Sequence, residues 1–221
     1  GNFTQMFKLI TDKDFYMMEN FKSYKKIAKE IHIDEGKIDQ SLNKFQKRFN
    51  GEDDTGYIKL MNTNPYLDYK KSIGKNICFD GVLFLHDFYD AHKLYGEVMF
   101  NDFYEWVDET LNFFEKNNLS NQIAIKPHPN SRDISIDTEL EFKKKYKNFI
   151  WLDKKTSNKN IFLQKPKFGL SVLGSVLPEI AYHGIFCISA STHPSMAYNF
   201  VFRPKSKKEY FEKLLNVCKS H

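Results

Sequence analysis

The chain has 221 residues, enough to bury a sizeable core in one large domain or in one domain with an extension. Its basic residues exceed its acidic ones by 33 to 28, a mild +5 balance. The lysines fall in scattered runs (Lys143-Lys144-Lys145, Lys154-Lys155, Lys205 to Lys208) among acids, with no nucleic-acid motif beside them, so nucleic acid is set aside as a partner.

Cys78, Cys187 and Cys218 lie far apart, without metal spacing and in odd number, which argues against a disulfide framework and for a reducing compartment. There is no apolar run of the roughly 18 residues that a membrane helix needs, and no signal-peptide pattern, so a soluble or peripheral protein is expected. The opening Gly1-Asn2 carries the expectation of a longer natural chain. Aromatic residues make up 16% of the chain, and most recur at helical core spacing, which assigns them to packing.

Residues 1–75 are expected to form a helical extension, a linker or a partial N-terminal lobe. Met18, Phe21, Tyr24, Ile27, Ala28 and Ile31 recur at helical spacing. A second helix is predicted over Glu35–Phe49, with Ile38, Leu42, Phe45 and Phe49 on one face and Gly51 as its stop. A polar loop over residues 51–56 and an irregular connection over 60–75 follow.

From residue 76 the pattern alternates. The nearly continuous apolar run Ile77–Leu85 predicts a strand buried on both faces, ending in His86-Asp87-Phe88-Tyr89-Asp90. Asp102 with Glu105 resembles a capping box, opening a helix that buries Phe103, Trp106, Val107, Leu111 and Phe114. A short strand from Ile123, a helix near Thr138–Tyr146 and a strand at Phe149–Leu152 come next. Phe168–Leu173 is a further strand, Gly174-Ser175 a turn, Val176–His183 a helix closed by Gly184, and Ile185–Ser189 a strand. Ser206 with Glu209 is a second capping box before a last helix with Phe211, Leu214, Leu215 and Cys218 on one face. Strands alternating with helices predict an α/β fold over residues 76–221, a doubly wound, mostly parallel, Rossmann-like sheet behind a helical N-terminal extension.

The chemistry concentrates at strand ends. In I-A-I-K-P-H-P-N (Ile123–Asn130) two prolines stop a strand and hold His128 beside Lys126 at its C-terminal end, the edge where open α/β sheets bind ligands. Gly174 allows close backbone approach, Ser175 is a candidate N-cap, and the amides of residues 175–177 are expected to face the same edge, where a helix start favours an anion. Glu179 is placed to accept from a ribose hydroxyl. His86, and Ser191, Thr192 and His193 beyond the strand at 185–189, fall on this edge too. Together these residues predict a phosphate or diphosphate site. Neither G-x-G-x-x-G nor G-x-x-x-x-G-K-[ST] is present, so dinucleotide oxidoreductases and P-loop NTPases lack their fingerprints, and no metal-ligand spacing occurs.

These segments resemble the nucleotide-sugar-binding domain of GT-B glycosyltransferases of bacterial capsule and surface-polysaccharide synthesis. Val82–Asp90 (V-L-F-L-H-D-F-Y-D) with Asn101–Trp106 is similar to that domain's opening strand and helix. Lys126-Pro127-His128-Pro129 resembles the HP motif of bacterial sialyltransferases, Kdo transferases and teichoic-acid polymerases; Gly174-Ser175 with Glu179 resembles the later serine motif, and Ser189–Pro204 the family's ending.

The resemblance implies a cytoplasmic transferase that takes sugar from a nucleotide-sugar donor. The nucleotide would be CMP or CDP, with UDP open. It implies that His128 contacts the donor phosphate, that the acceptor is a glycan or lipid-linked, and that peripheral association with the inner face of the bacterial membrane is compatible. No metal or cofactor beyond the donor substrate is expected. The chain departs from the family in having no complete N-terminal α/β lobe, the usual source of acceptor site and catalytic base. Asp87 and Asp90 are base candidates by proximity to the site. A CDP-alditol phosphotransferase of teichoic-acid type and a non-catalytic nucleotide-binding scaffold of a polysaccharide assembly complex stay open.

Overall fold

A computed structural model describes residues 35–52, 64, 66–67, 73, 77–90, 99–172, 174–191 and 199–220. The helix expected over 15–31 and most of the connection over 53–76 lie outside the described residues. Among the described residues six strands form one sheet: β1 (Gly81–Phe84), β2 (Ile123–Lys126), β3 (Ile150–Trp151), β4 (Phe168–Ser171), β5 (Phe186–Ser189) and β6 (Val201–Phe202). Their order is β3-β2-β1-β4-β5-β6, and every adjacent pair is parallel. The helices between and around them are α1 (Glu35–Phe49), α2 (Phe103–Lys116), α3 (Asp133–Lys145), α4 (Asn158–Leu163), α5 (Val176–Tyr182) and α6 (Lys207–Lys219).

The strand period of two sorts apolar residues to opposite faces. Leu83, Ile123, Ile125, Phe168, Leu170 and Ile188 join the core beneath α2, α3 and α6, whereas Val82, Phe84, Ala124 and Cys187 join the core beneath α1, α4 and α5. The domain is therefore an α/β, doubly wound, Rossmann-like fold, its sheet covered on both faces as an all-parallel sheet requires. Among the described residues no helix is long and apolar enough to cross a membrane.

The apolar run at 77–85 pairs only over Gly81–Phe84, because β2 offers partners no earlier than Ile123, opposite Gly81. Phe79 is nonetheless buried in the second core. The Asp102 side chain accepts from the Glu105 amide at 2.7 Å, and Glu105 accepts from the Asn101 amide rather than from the capping residue's own. At the start of α6 the Glu209 amide donates to Ser206 at 3.2 Å. That helix turns Tyr210, Leu214 and Cys218 inward, one position round from the expected face, because Tyr210 finds a buried polar partner in α2.

α1 has the predicted limits and ends at Gly51, whose φ of 77° lets its amide bond Arg48 O (3.0 Å) while Glu52 N reaches Lys47 O (2.9 Å). Only half of its apolar stripe is covered: Phe49 is buried, whereas Ile38 and Leu42 are exposed. Phe45 and Phe49 stack on Tyr182 of α5 at 5.1 and 5.3 Å. Phe49 and Tyr66 share a core with Val82, so packing runs across the boundary expected at residue 75.

Tyr210 is fully buried; its hydroxyl accepts from Trp106 Nε1 at 3.0 Å and lies 3.0 Å from Thr110 Oγ1. Tyr210→Phe strands a buried indole N–H, an expected loss of about 1–3 kcal/mol. In urea unfolding the midpoint should fall while the slope stays at the wild-type value; an unchanged midpoint counts against this polar link between α2 and α6.

Candidate functional site

In this strand order, connections from β1 run outward through β2 to β3, then return across β1 to β4. The topological switch point is thus the gap between β1 and β4, where crevices open beyond strand C-termini. A cavity of about 240 Å³ lies there. Phe84 to His86 line it after β1, Lys126 to Asn130 after β2, and Gly174 to Val176 after β4; Arg48, Tyr66, Asn158 and Glu179 complete it.

His86, Asp90, Lys126, His128, Gly174, Ser175 and Glu179 therefore meet at one cavity, as their strand ends predict. Asp87 and Ser191 are not among its lining residues, and Thr192 and His193 lie outside the described residues. Ser191 is buried, and among the described residues its Oγ has no hydrogen-bond partner.

Lys126 is 2% exposed. Its ammonium donates to Pro127 O and Lys154 O, both at 2.8 Å. Burial pushes its pKa down to about 8, against the opposing pull of Glu139 and Asp153. His128 accepts the Asn130 amide at Nδ1 (3.3 Å), which makes Nε2 its protonated nitrogen. Burial, with His86 and Lys126 nearby, pushes its pKa down to about 4, so the ring is a neutral donor at pH 7. The His86 and His128 rings stand 5.8 Å apart. His86 Nδ1 faces Asp87 O at 3.3 Å and Asp90 Oδ2 at 3.9 Å.

Asp87 departs from the role expected of it. Its carboxylate accepts from Tyr89 N, from Arg132 N, Nε and Nη2, and from Ser135 Oγ, five contacts of 2.6 to 3.3 Å. Burial alone would raise its pKa, but the hydrogen bonds from Arg132 and Ser135 outweigh it and hold the carboxyl well below the usual range. A carboxylate so engaged ties the end of β1 to the start of α3 and is a poor base. Asp90, which lines the cavity and sits near His86, is the better placed of the pair.

Glu179 also differs from expectation. It is 1% exposed, and a buried carboxylate has to be paired. Oε1 takes the Tyr66 hydroxyl and lies 3.3 Å from Arg48 Nη2; Oε2 accepts from Asn158 Nδ2 at 3.3 Å. Burial pushes its pKa up. A ribose hydroxyl here would meet a carboxylate already engaged on both oxygens. Ser175 makes no capping bond, since its φ of −66° and ψ of −12° are helical rather than the extended values of an N-cap. The Leu177 amide donates to Gly174 O at 3.3 Å, and Gly174 itself holds φ at 127°, which strongly favours glycine.

Arg48, Tyr66, Asn130 and Asn158 were not anticipated. Asn130 closes the K-P-H-P-N run and enters through its backbone amide, which donates to His128 Nδ1, so its residue type carries no signal for that bond. Arg48 and Tyr66 have no local signal either, because tertiary packing of α1 on α5 brings them in. No family model, no curated protein and no solved structure matches this chain.

Two pH effects follow from these environments. A His128 pKa depressed from 6.5 to about 4 means that the unfolded chain binds more protons between those values. The stability linked to His128 is therefore fully present above about pH 6.5 and is lost as pH drops towards 4; His128→Gln should flatten that slope in urea titrations across the window. Asp87, also depressed, contributes stability above its ordinary value of 3.8 that is lost as pH falls through its lower folded value. Asp87→Asn should cost roughly 1.5–3 kcal/mol at pH 7, and the difference from wild type should shrink in strong acid. Equal stability of the two proteins at pH 7 would remove the positioning role.

Proposed function

We propose that this chain is the donor-binding domain of a glycosyltransferase that takes sugar from a CMP-, CDP- or UDP-linked donor for bacterial capsule or surface-polysaccharide synthesis. The observation that carries the reading is the convergence of Lys126, His128 and His86 at the switch-point cavity of a Rossmann-like sheet. Donors already fixed in place and shielded from water favour charge that develops on a bound phosphate more than donors that must reorient.

In this reading the sugar–phosphate bond lengthens while negative charge builds on the departing phosphate. His128 Nε2–H donates to it, and Lys126, held by its carbonyls, contributes positive potential. Loss of one such donor is expected to raise the barrier by about 2.7–4 kcal/mol. The His86–Asp90 pair is the candidate to receive the acceptor's proton. Work at the inner face of the membrane, on a glycan or lipid-linked acceptor, belongs to the same proposal. A non-catalytic, nucleotide-binding scaffold is the second reading, favoured by the engagement of Asp87 and Glu179 inside the protein.

Calorimetric titration with CMP, CDP, UDP and GDP tests the proposal. Saturable binding of a cytidine or uridine nucleotide is expected, weakened roughly 10- to 100-fold in His128→Ala, the equivalent of about 1.5–3 kcal/mol for a bond to a charged group. Wild-type protein that binds none of the four, or a variant that binds as tightly as wild type, removes the phosphate site. Nucleotide binding without sugar transfer would favour the scaffold.

A further inference from the structure

Beside the switch-point cavity lies a groove of about 520 Å³ at the outer edge of the sheet, and Pro127 lines both. Its floor and walls come from Ile136 and Leu140 of α3 and from Trp151 of β3; Lys143, Lys154 and Lys155 surround them. Among the described residues β3 is an edge strand with β2 as its one neighbour.

We infer that this groove binds an acidic oligosaccharide. Trp151 is half-buried, and its Nε1–H is tied to Tyr146 O at 2.9 Å, which fixes the indole without ligand. A fixed aromatic face beside aliphatic side chains suits the C–H surface of a sugar ring, with no ordering cost for the platform. Leu140 is 50% exposed on the same wall. Lys143, Lys154 and Lys155 form no salt bridge among the described residues, whereas Lys145 on the same helix as Lys143 pairs with Asp108. They are the complement of carboxylates on a sugar chain. Glu139 and Asp153 also line the groove. Glu139 is buried against Ser131 Oγ at 2.6 Å, and Asp153 accepts the Lys155 amide at 2.9 Å, so both carboxylates are already partnered.

The Lys126 ammonium joins Pro127, on the wall shared with the cavity, to Lys154 in this groove. A chain lying in the groove would thus end close to the proposed donor site. That it serves as acceptor rests on the transferase reading; that it binds does not.

The test uses hexagalacturonate, neutral maltohexaose and vesicles of phosphatidylcholine with phosphatidylserine. The chain has two tryptophans, and Trp106 is fully buried, so a fluorescence change lost in Trp151→Phe reports on the groove. Saturable binding of hexagalacturonate is expected, with a change in emission, no response to maltohexaose, and affinity at least tenfold lower in Lys143→Glu/Lys155→Glu. Nucleotide affinity should be unchanged in that double variant, and hexagalacturonate should still bind His128→Ala. Binding of hexagalacturonate without any nucleotide binding supports the groove while removing the donor reading. No saturable binding, equal binding of both sugars, or binding undiminished by the double variant overturns the inference. So does charge-dependent attachment to the vesicles in place of the sugar.

Discussion

An ammonium group taken out of water has to find acceptors, and Lys126 finds them in two backbone carbonyls that belong to different loops. Pro127 O lies directly beyond β2; Lys154 O lies beyond β3. The prolines flanking His128 have no amide to donate, and the run closes in a turn where Ser131 donates to His128 O. The lysine supplies the cross-tie that this stretch lacks. Its burial also lowers its pKa, so the same desolvation that organises the loop tunes the charge at the cavity. The histidine beside it is neutral for the same reason. A site built this way offers hydrogen-bond donors held in place before any ligand arrives.

A second dependency lies on one face of the sheet. Glu179 on α5 is buried beneath the cavity, and its partners arrive from elsewhere: Arg48 from α1, Tyr66 from the segment after it, Asn158 from the start of α4. Arg48 also donates to the Tyr66 hydroxyl at 2.7 Å and lies over its ring at 5.5 Å. Removing any one member would leave the others buried with a partner missing, which is why such networks hold together or fail as units. The stacking of Phe45 and Phe49 on Tyr182 keeps α1 where Arg48 can reach. Through Arg48, α1 is thus part of the cavity wall.

Fold and chemistry meet in the strand order. An all-parallel sheet covered by helices on both faces leaves its C-terminal edge as the place where polar loop residues can gather without opening the core. The reversal between β1 and β4 separates the loops there and makes room for a ligand. His86, His128, Ser175 and Glu179, spread over 93 positions of the chain, come to line one space only through that order. The proposed donor and the acidic sugar chain occupy neighbouring positions on this edge, with Lys126 beneath the wall between them.

Periodicity sufficed for the elements whose apolar pattern is strong. The α1 limits, the buried face of α2, the N-caps at Asp102 and Ser206 and the placement of His86, Lys126, His128 and Gly174 at strand ends are local properties, set by residues within a few positions of one another. The short elements were a different matter: α4 and β6 have 6 and 2 residues, too few to show a period. The roles of Asp87 and Glu179 could not be read locally either, since each depends on partners distant in the chain, Arg132 and Ser135 for one, Arg48 and Tyr66 for the other. The physical reason is the same in both cases. Backbone preference and burial pattern act over a turn or a strand, and a motif of eight residues contains all of that information. Whether a carboxylate is free to react or bound into the scaffold depends on which side chains packing delivers to it, and that was decided when α1 settled on α5 and α3 closed over the end of β1.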